Sequence, residues 1–370
     1  MDFNFYMPTK IISGKNCVVE NYNLISALGH RCLIITGSSS AKKSGALFDV
    51  LTALEKADIK YAVYDGVEQN PLISSCKTAG KIAFEMNADF IIGIGGGSPL
   101  DAAKGASIFA ANPNLSTDDL YDKNWLNKPL KTVMIGTTAG TGSEVGRYSV
   151  LTIDETHVKR SVADDSLIPS LTFADPKYTY SLPLDFTIST AIDALAHSIE
   201  GYFSKSAGDI SDIFALRAMG LIYPSIKELY HISDVSRINE ELRERLFYGS
   251  LYAGVTLGHT GTCFPHAISY VLTEEFSTPH GYACGLFMPD FLRHSEIHLK
   301  EKAERLAVDL NCGISEISEL ISALCKNYRV KISDDIIDKH FWRYINNKNF
   351  LNSPGNFSEN DAALLLKNLK

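Results

Sequence analysis

Apolar positions in the first half of the chain come in short, nearly continuous runs. Cys32-Leu33-Ile34-Ile35 ends at Gly37-Ser38-Ser39-Ser40, and Tyr61-Ala62-Val63-Tyr64 ends at Asp65-Gly66. Phe90-Ile91-Ile92-Gly93-Ile94 runs into three glycines, and Thr132-Val133-Met134-Ile135 runs into Gly136 and a threonine-rich turn. Helix-length stretches such as residues 72–86 lie between them. Strands that are apolar on both faces and alternate with helices predict a parallel sheet covered on both sides.

From about Ser181 the pattern changes. Strand signals become scarce, and helical spacing dominates residues 187–203, 209–230 and 239–255, with 362–369 as a last short helix. Prolines at Asp175-Pro176 and Pro183 punctuate the change. The chain has 370 residues, more than the roughly 250–300 that one hydrophobic core serves. The expected architecture is therefore an N-terminal α/β domain with a parallel sheet, residues 1–180, and an all-α C-terminal domain, residues 181–370.

Composition excludes more than it assigns. A hydrophobic fraction of 45% with 21% charged residues is that of a globular protein, not a disordered one. The net charge of -8 argues against nucleic acid as a partner. No apolar run approaches the ~18 residues of a membrane helix, and Met1 to Tyr6 lacks the layout of a signal peptide. Seven cysteines, an odd number without a Cys-x-x-Cys pair, read as free thiols in a reducing cytoplasm.

Two turns carry candidate chemistry. Gly93-Ile94-Gly95-Gly96-Gly97-Ser98-Pro99-Leu100-Asp101 joins a strand to a helix, with Ser98 as the expected N-cap and Pro99 as the first helical residue. Glycines admit a ligand to the backbone, and a helix start offers free N–H groups, so the turn suits a pyrophosphate. A plain strand-to-helix connection is the competing reading, since the spacing is not Gly-x-Gly-x-x-Gly. Thr137-Thr138-Ala139-Gly140-Thr141-Gly142-Ser143-Glu144 follows the next strand. Two hydroxyl- and glycine-rich turns after parallel strands favour a dinucleotide across their carboxyl ends.

Asp193 and His197 stand four apart on a predicted helix and share a face. Downstream, His266 and His280 lie among Gly, Thr and Pro. One carboxylate and three imidazoles suit Fe(II), Zn(II), Mn(II) or Co(II), and such an ion polarises a carbonyl or alkoxide oxygen. An Asp and a His at helical spacing are more often a capping or surface pair, and spacing alone does not join them to the two distant histidines.

Taken together, Gly95-Gly96-Gly97-Ser98-Pro99-Leu100-Asp101-Ala102-Ala103-Lys104, Thr137 to Val145, Asp193-Ala194-Leu195-Ala196-His197 and Pro279-His280-Gly281 resemble the iron-containing, group III alcohol dehydrogenases. These share the dehydroquinate-synthase-like fold. Asn70-Pro71, Asp175-Pro176 and Asn352-Ser353-Pro354-Gly355 extend the resemblance along the whole chain. It implies metal ligands at Asp193, His197, His266 and His280, holding Fe(II) or, after purification, zinc. It implies a pyrophosphate on Gly95, Gly96, Gly97 and Ser98, with Asn70 and Pro71 nearby and Asp101 near the nicotinamide. Thr137, Thr138, Thr141 and Ser143 would bind cofactor phosphate, ribose or carboxamide, Lys159 would reach the cofactor, and Thr179 and Leu182 would touch the adenosine side. Leu257 and Val150 would line a substrate pocket. A homodimer is also implied.

Two departures from the family pattern matter. Many members carry His-Ala-x-x-x-His from the third ligand, whereas this chain reads His266-Ala267-Ile268-Ser269-Tyr270. Tyr270 then either relays a proton in place of the second histidine or simply packs. NAD-preferring members also carry an aspartate after the first dinucleotide-binding strand. This chain reads Gly37-Ser38-Ser39-Ser40-Ala41-Lys42-Lys43. Gly37 leaves room, Ser39 and Ser40 donate hydrogen bonds and Lys42 or Lys43 adds charge, which favours NADP(H); a solvated basic turn that starts the next helix at about Ser40 is the competing reading. The implied function is an iron-dependent, NADP(H)-linked alcohol dehydrogenase acting as an aldehyde reductase. The alternatives are a reductase of anionic aldehydes such as phosphonoacetaldehyde, or a zinc-dependent polyol dehydrogenase of the same fold.

Overall fold

The computed structural model describes residues 5–369, so most of the N-terminal stretch read for a signal peptide lies outside the described residues. Two compact units result: Tyr6–Leu182, and the chain from Pro183 onward joined by Phe5.

The first unit is built on a six-stranded, all-parallel sheet. Its strands are β1 (Lys10–Ser13), β2 (Arg31–Gly37), β3 (Lys60–Val67), β4 (Phe90–Gly95), β5 (Lys131–Gly136) and β8 (Leu171–Ala174), in the order β1-β8-β5-β4-β2-β3. The runs in β2, β4 and β5 become strands because both faces are buried, whereas β3, at the sheet edge, is largely exposed. Cys32, Ile34, Phe90, Ile92 and Ile94 pack on one side with Val50, Ala53 and Leu54 of the Ala46–Lys56 helix. Leu33, Ile35, Ile91 and Met134 pack on the other with the Ile73–Glu85 and Gly97–Ala111 helices. Chain direction across the sheet reverses between β2 and β4, so the turns leaving their carboxyl ends, after Gly37 and after Gly95, flank a switch point where ligands bind in such sheets.

Four strands escape the apolar pattern. β1 and β8 have only four residues each, too few to show a period, and lie side by side at one end of the sheet. β6 (Tyr148–Thr152) and β7 (Lys159–Ala163) form a separate antiparallel hairpin whose long loop carries no tight-turn signature.

The second unit is helical throughout its described residues, as the 3.6-residue spacing predicts. Its helices include Leu184–Phe203, Asp209–Tyr230, Glu240–Thr260, Phe264–Glu275 and His280–Gly285. No described helix is long and apolar enough to cross a membrane. All seven cysteines are buried and unpaired.

The Ile73–Glu85 and Gly97–Ala111 helices meet at Gly80. A Cβ there would lie 2.6 Å from Phe109 Cβ and 3.0 Å from the Ala106 carbonyl oxygen. Alanine gains about 1 kcal/mol of helix propensity over glycine, but these neighbours are near-backbone atoms that cannot swing away. Gly80→Ala is expected to lower stability by about 1–3 kcal/mol; a raised urea midpoint would show that the two helices separate freely.

Candidate metal and cofactor sites

The start of the Gly97–Ala111 helix differs from the sequence expectation. The helix begins at Gly97, its N-cap is Gly96 without a side-chain cap, and Pro99 is the third helical residue. Ser98 instead accepts a hydrogen bond from the backbone N–H of Asn70 (3.3 Å). Asn70 takes left-handed backbone angles, φ 60°, which turns the chain from β3 onto this helix start. The Pro71 carbonyl accepts from Thr152 N–H (2.8 Å).

The glycine row has a packing cause beside any ligand. A Cβ on Gly96 would lie 3.0 Å from Thr138 Cγ2, and one on Gly97 2.8 Å from Thr141 Cγ2. Gly95, at φ +152°, would meet Pro99 at 2.6 Å. The Thr137 N–H donates to the Gly95 carbonyl (2.8 Å). Missing side chains on one turn thus let the threonine turn close over it, and the two become one platform at the ends of β4 and β5. Thr137 Oγ1 is buried without a hydrogen-bond partner.

Behind the platform sits a buried lysine, which the sequence reading quoted but gave no role. Lys104 Nζ donates to the carbonyl oxygens of Ser143 (2.7 Å), Gly146 (2.8 Å) and Tyr148 (2.8 Å) and to Ser143 Oγ (3.0 Å). Burial pulls its pKa down to about 8, while Asp101 and Glu144 push it up. Asp101 accepts from Ser143 Oγ (2.6 Å) and Val150 N–H (3.0 Å). Asp101 and the Ser143 hydroxyl are therefore engaged with each other and with Lys104, shaping the loop that carries Thr137, Thr138 and Thr141.

At the end of β2, Gly37 pairs with Val67 of β3, Ser39 occupies the N-cap position of a short helix, and Ser40 opens it. Lys42 Nζ contacts Asp65 Oδ2 at 2.7 Å, and both side chains are about half exposed. A carboxylate absent from the local sequence is supplied by the neighbouring strand. Lys159 opens β7, Val150 lies in β6, and Thr179 is buried with its hydroxyl on the Pro176 carbonyl (2.8 Å), just before Leu182.

In the helical unit the four expected ligands converge. Asp193 Oδ1 lies 3.9 Å from His197 Nε2, 3.5 Å from His266 Nε2 and 3.7 Å from His280 Nε2. Asp193 and His197 come from the Leu184–Phe203 helix, His266 from the next-but-two, and His280 opens the short His280–Gly285 helix. His197 stacks on His266, ring centroids 4.5 Å apart. Asp193, His197 and His266 are buried, and the His280 side chain is 33% exposed. Burial alone would raise the Asp193 carboxyl, but the imidazoles of His197, His280 and His266 hold it well below the usual carboxylate range. Asp193 Oδ1 and His266 Nε2 are buried with no hydrogen-bond partner. Orphaned buried polar atoms are costly, and a cation among them removes that cost; an oxygen and nitrogen donor set fits a divalent first-row ion.

Two residues that sequence reasoning missed complete this centre. Glu200, fully buried, takes the Nδ1–H of His266 (2.5 Å) and the N–H of Cys263 (2.7 Å). That bond turns His266 Nε2 towards Asp193, the role outer carboxylates play for metal-binding histidines. A glutamate inside the apolar stretch from Ala194 to Phe203 was the available signal. The other is Cys284, whose Sγ lies 3.7 Å from His280 Nε2. Tyr270 stacks on His280 with planes 13° apart and centroids 6.0 Å apart. Leu257 is half-buried on the Glu240–Thr260 helix.

Comparison with known proteins adds the family. Residues 8–176 match the model for iron-containing alcohol dehydrogenase, and residues 187–334 match the C-terminal model of the Fe-containing alcohol dehydrogenase family. The chain is 32% identical over 314 residues to a 1,3-propanediol dehydrogenase from Klebsiella pneumoniae, covering 81% of this chain and 79% of the relative. Among solved structures, an iron-containing alcohol dehydrogenase from Thermotoga maritima matches with TM-score 0.89 at 34% identity over 98% of each chain. A sulfoacetaldehyde reductase from Bifidobacterium kashiwanohense in complex with NAD+ matches with TM-score 0.87 at 27% identity, over 100% of this chain and 99% of that one.

Gly281 tests how tightly the ligands are set. A Cβ there would stand 1.7 Å from the Ser189 carbonyl oxygen, on the helix that bears Asp193 and His197. Gly281→Ala must part the two helices, so a loss of about 3 kcal/mol or more and less metal retained per chain on dialysis are expected. Full metal content in the variant would show that the ligand positions tolerate that parting.

Proposed function

Because the chain belongs to the iron-containing alcohol dehydrogenase family, we propose that it interconverts a small aldehyde and its alcohol with NADP(H), working mainly as a reductase. The convergence of Asp193, His197, His266 and His280 around unsatisfied buried donor atoms carries this reading. A divalent ion held by these four residues, iron by preference, supplies Lewis acidity towards the substrate oxygen, and the nicotinamide supplies the hydride. Glu200 keeps His266 in the tautomer that presents Nε2. Tyr270, whose ring stacks on His280, delivers the proton that the new alcohol needs.

The glycine and threonine turns receive the cofactor. Backbone N–H groups of Gly96, Gly97 and Ser98 meet the pyrophosphate; Thr138 and Thr141 face it from the second turn; Thr137, Asn70, Pro71, Lys159, Thr179 and Leu182 complete the cradle. Gly37, Ser39, Ser40 and Lys42 take the 2′-phosphate. The Lys42–Asp65 pair does not bar this. A half-exposed ion pair contributes about 0–1 kcal/mol, and a doubly charged phosphate competes well for the ammonium. The working form is a homodimer in a reducing cytoplasm.

A negatively charged aldehyde is the second reading, favoured by the likeness to a sulfoacetaldehyde reductase. Arg147, paired with Asp165 (2.8 Å), and Arg160, over the Tyr121 ring (4.2 Å), are the cations such a group would call on. An uncharged aldehyde is the first choice.

Metal-stripped protein reloaded anaerobically with Fe(II), Zn(II) or Mn(II), and assayed with NADPH or NADH against short and anionic aldehydes, tests these statements. Iron-dependent oxidation of NADPH, at least about tenfold faster than of NADH, is expected. NADH preference would remove the 2′-phosphate assignment, and activity confined to sulfonate- or phosphonate-bearing aldehydes would select the second reading. Tyr270→Phe is expected to lower turnover about 10²-fold with cofactor binding unchanged; unchanged turnover would leave Tyr270 a packing residue.

A further inference from the structure

His197 is not the only fourth donor within reach of the metal centre. One donor atom from each of Asp193, His266, His280 and Cys284 lies within 4.8 Å of all the others. Cys284 is fully buried, and its Sγ is 3.7 Å from His280 Nε2. It follows His280 by four residues on one helical turn, as His197 follows Asp193. Two i,i+4 donor pairs thus lie close together, with Cys284 Sγ beside the His280 ring, 3.7 Å from Nε2 and 3.9 Å from Nδ1. The cysteine does not stand alone in indicating a ligand. Asp193 and His266, 3% and 4% exposed, each direct an unpartnered polar atom into the same group.

We propose that Cys284 Sγ is a metal donor in this centre, sharing the ion with Asp193, His266 and His280. The inference rests on the metal site described above and extends it by one ligand. The thiol is held in place through its contact with Ser269 Oγ (3.3 Å), a hydroxyl that itself donates to the His266 carbonyl (2.8 Å). On coordination the S–H proton passes to solvent as the sulfur–metal bond forms; no electron is transferred. A thiolate among oxygen and nitrogen donors softens the site and favours Zn(II) more than a shell of one carboxylate and three imidazoles does. Cys284 and His197 then share or contest one corner of the coordination shell, and metal preference becomes a property of that contest.

Cobalt(II) reports sulfur ligation independently of activity. Full-length protein loaded with one equivalent of Co(II) is expected to show visible d–d bands together with an intense near-ultraviolet sulfur-to-cobalt charge-transfer band. In Cys284→Ser the charge-transfer band should disappear while the d–d bands remain; in Cys263→Ala, whose thiol contacts the Glu200 and Asn352 carbonyls instead, it should persist. Visible bands without charge transfer in the unaltered protein, or an unchanged band in Cys284→Ser, would overturn the inference and leave the four-residue site standing. Absence of all cobalt bands would overturn the metal centre and this ligand together.

Discussion

A carboxylate buried among three imidazoles, with one oxygen that no hydrogen-bond donor reaches, is the constraint around which the helical unit is arranged. Asp193 is held ionised by its neighbours, and leaving its Oδ1 and the facing His266 Nε2 unsatisfied costs free energy that ordinary packing does not return. The surrounding sequence is spent on keeping these atoms together. Glu200 fixes one imidazole, Gly281 allows the His280 turn to touch the Ser189 carbonyl, and Ser269 positions the thiol behind them. Unsatisfied polar atoms in a folded core are the mark of a functional site.

The α/β unit solves a different problem with the same economy. Its glycine turn looks designed for a phosphate, yet the contacts at Gly96 and Gly97 are with threonine side chains of the second turn. A phosphate on the same turn would require the same absence of Cβ atoms, so the two demands do not conflict. The rigidity comes from below. Lys104 ties three carbonyls of one loop, and Asp101 ties that loop to the helix. A loop fixed by a buried ammonium presents its hydroxyls without further ordering when a ligand arrives, which lowers the entropic cost of binding.

Much of the fold was legible because the sheet is buried on both faces, which writes β2, β4 and β5 into the sequence as uninterrupted apolar runs. β1, β8 and the β6–β7 hairpin left no such mark, being short or outside the main sheet. Helices came through well, with 209–230 matching at both ends, whereas the cap at Ser98 was misplaced because the helix starts two residues early, at Gly97. The ligand set was legible only by resemblance: nothing in the spacing joins Asp193 to His266 or His280, which meet through tertiary packing. Asp65 shows the same limit. Its place beside Lys42 follows from strand order, and a reading confined to the residues after β2 sees only serines and lysines.

Of the side chains gathered at the metal centre, Asp193, His197 and His266 are sealed within the helices, while His280 keeps a third of its surface in water. A divalent ion held there would meet water at that one imidazole, the other donors being closed off by the packing of their helices.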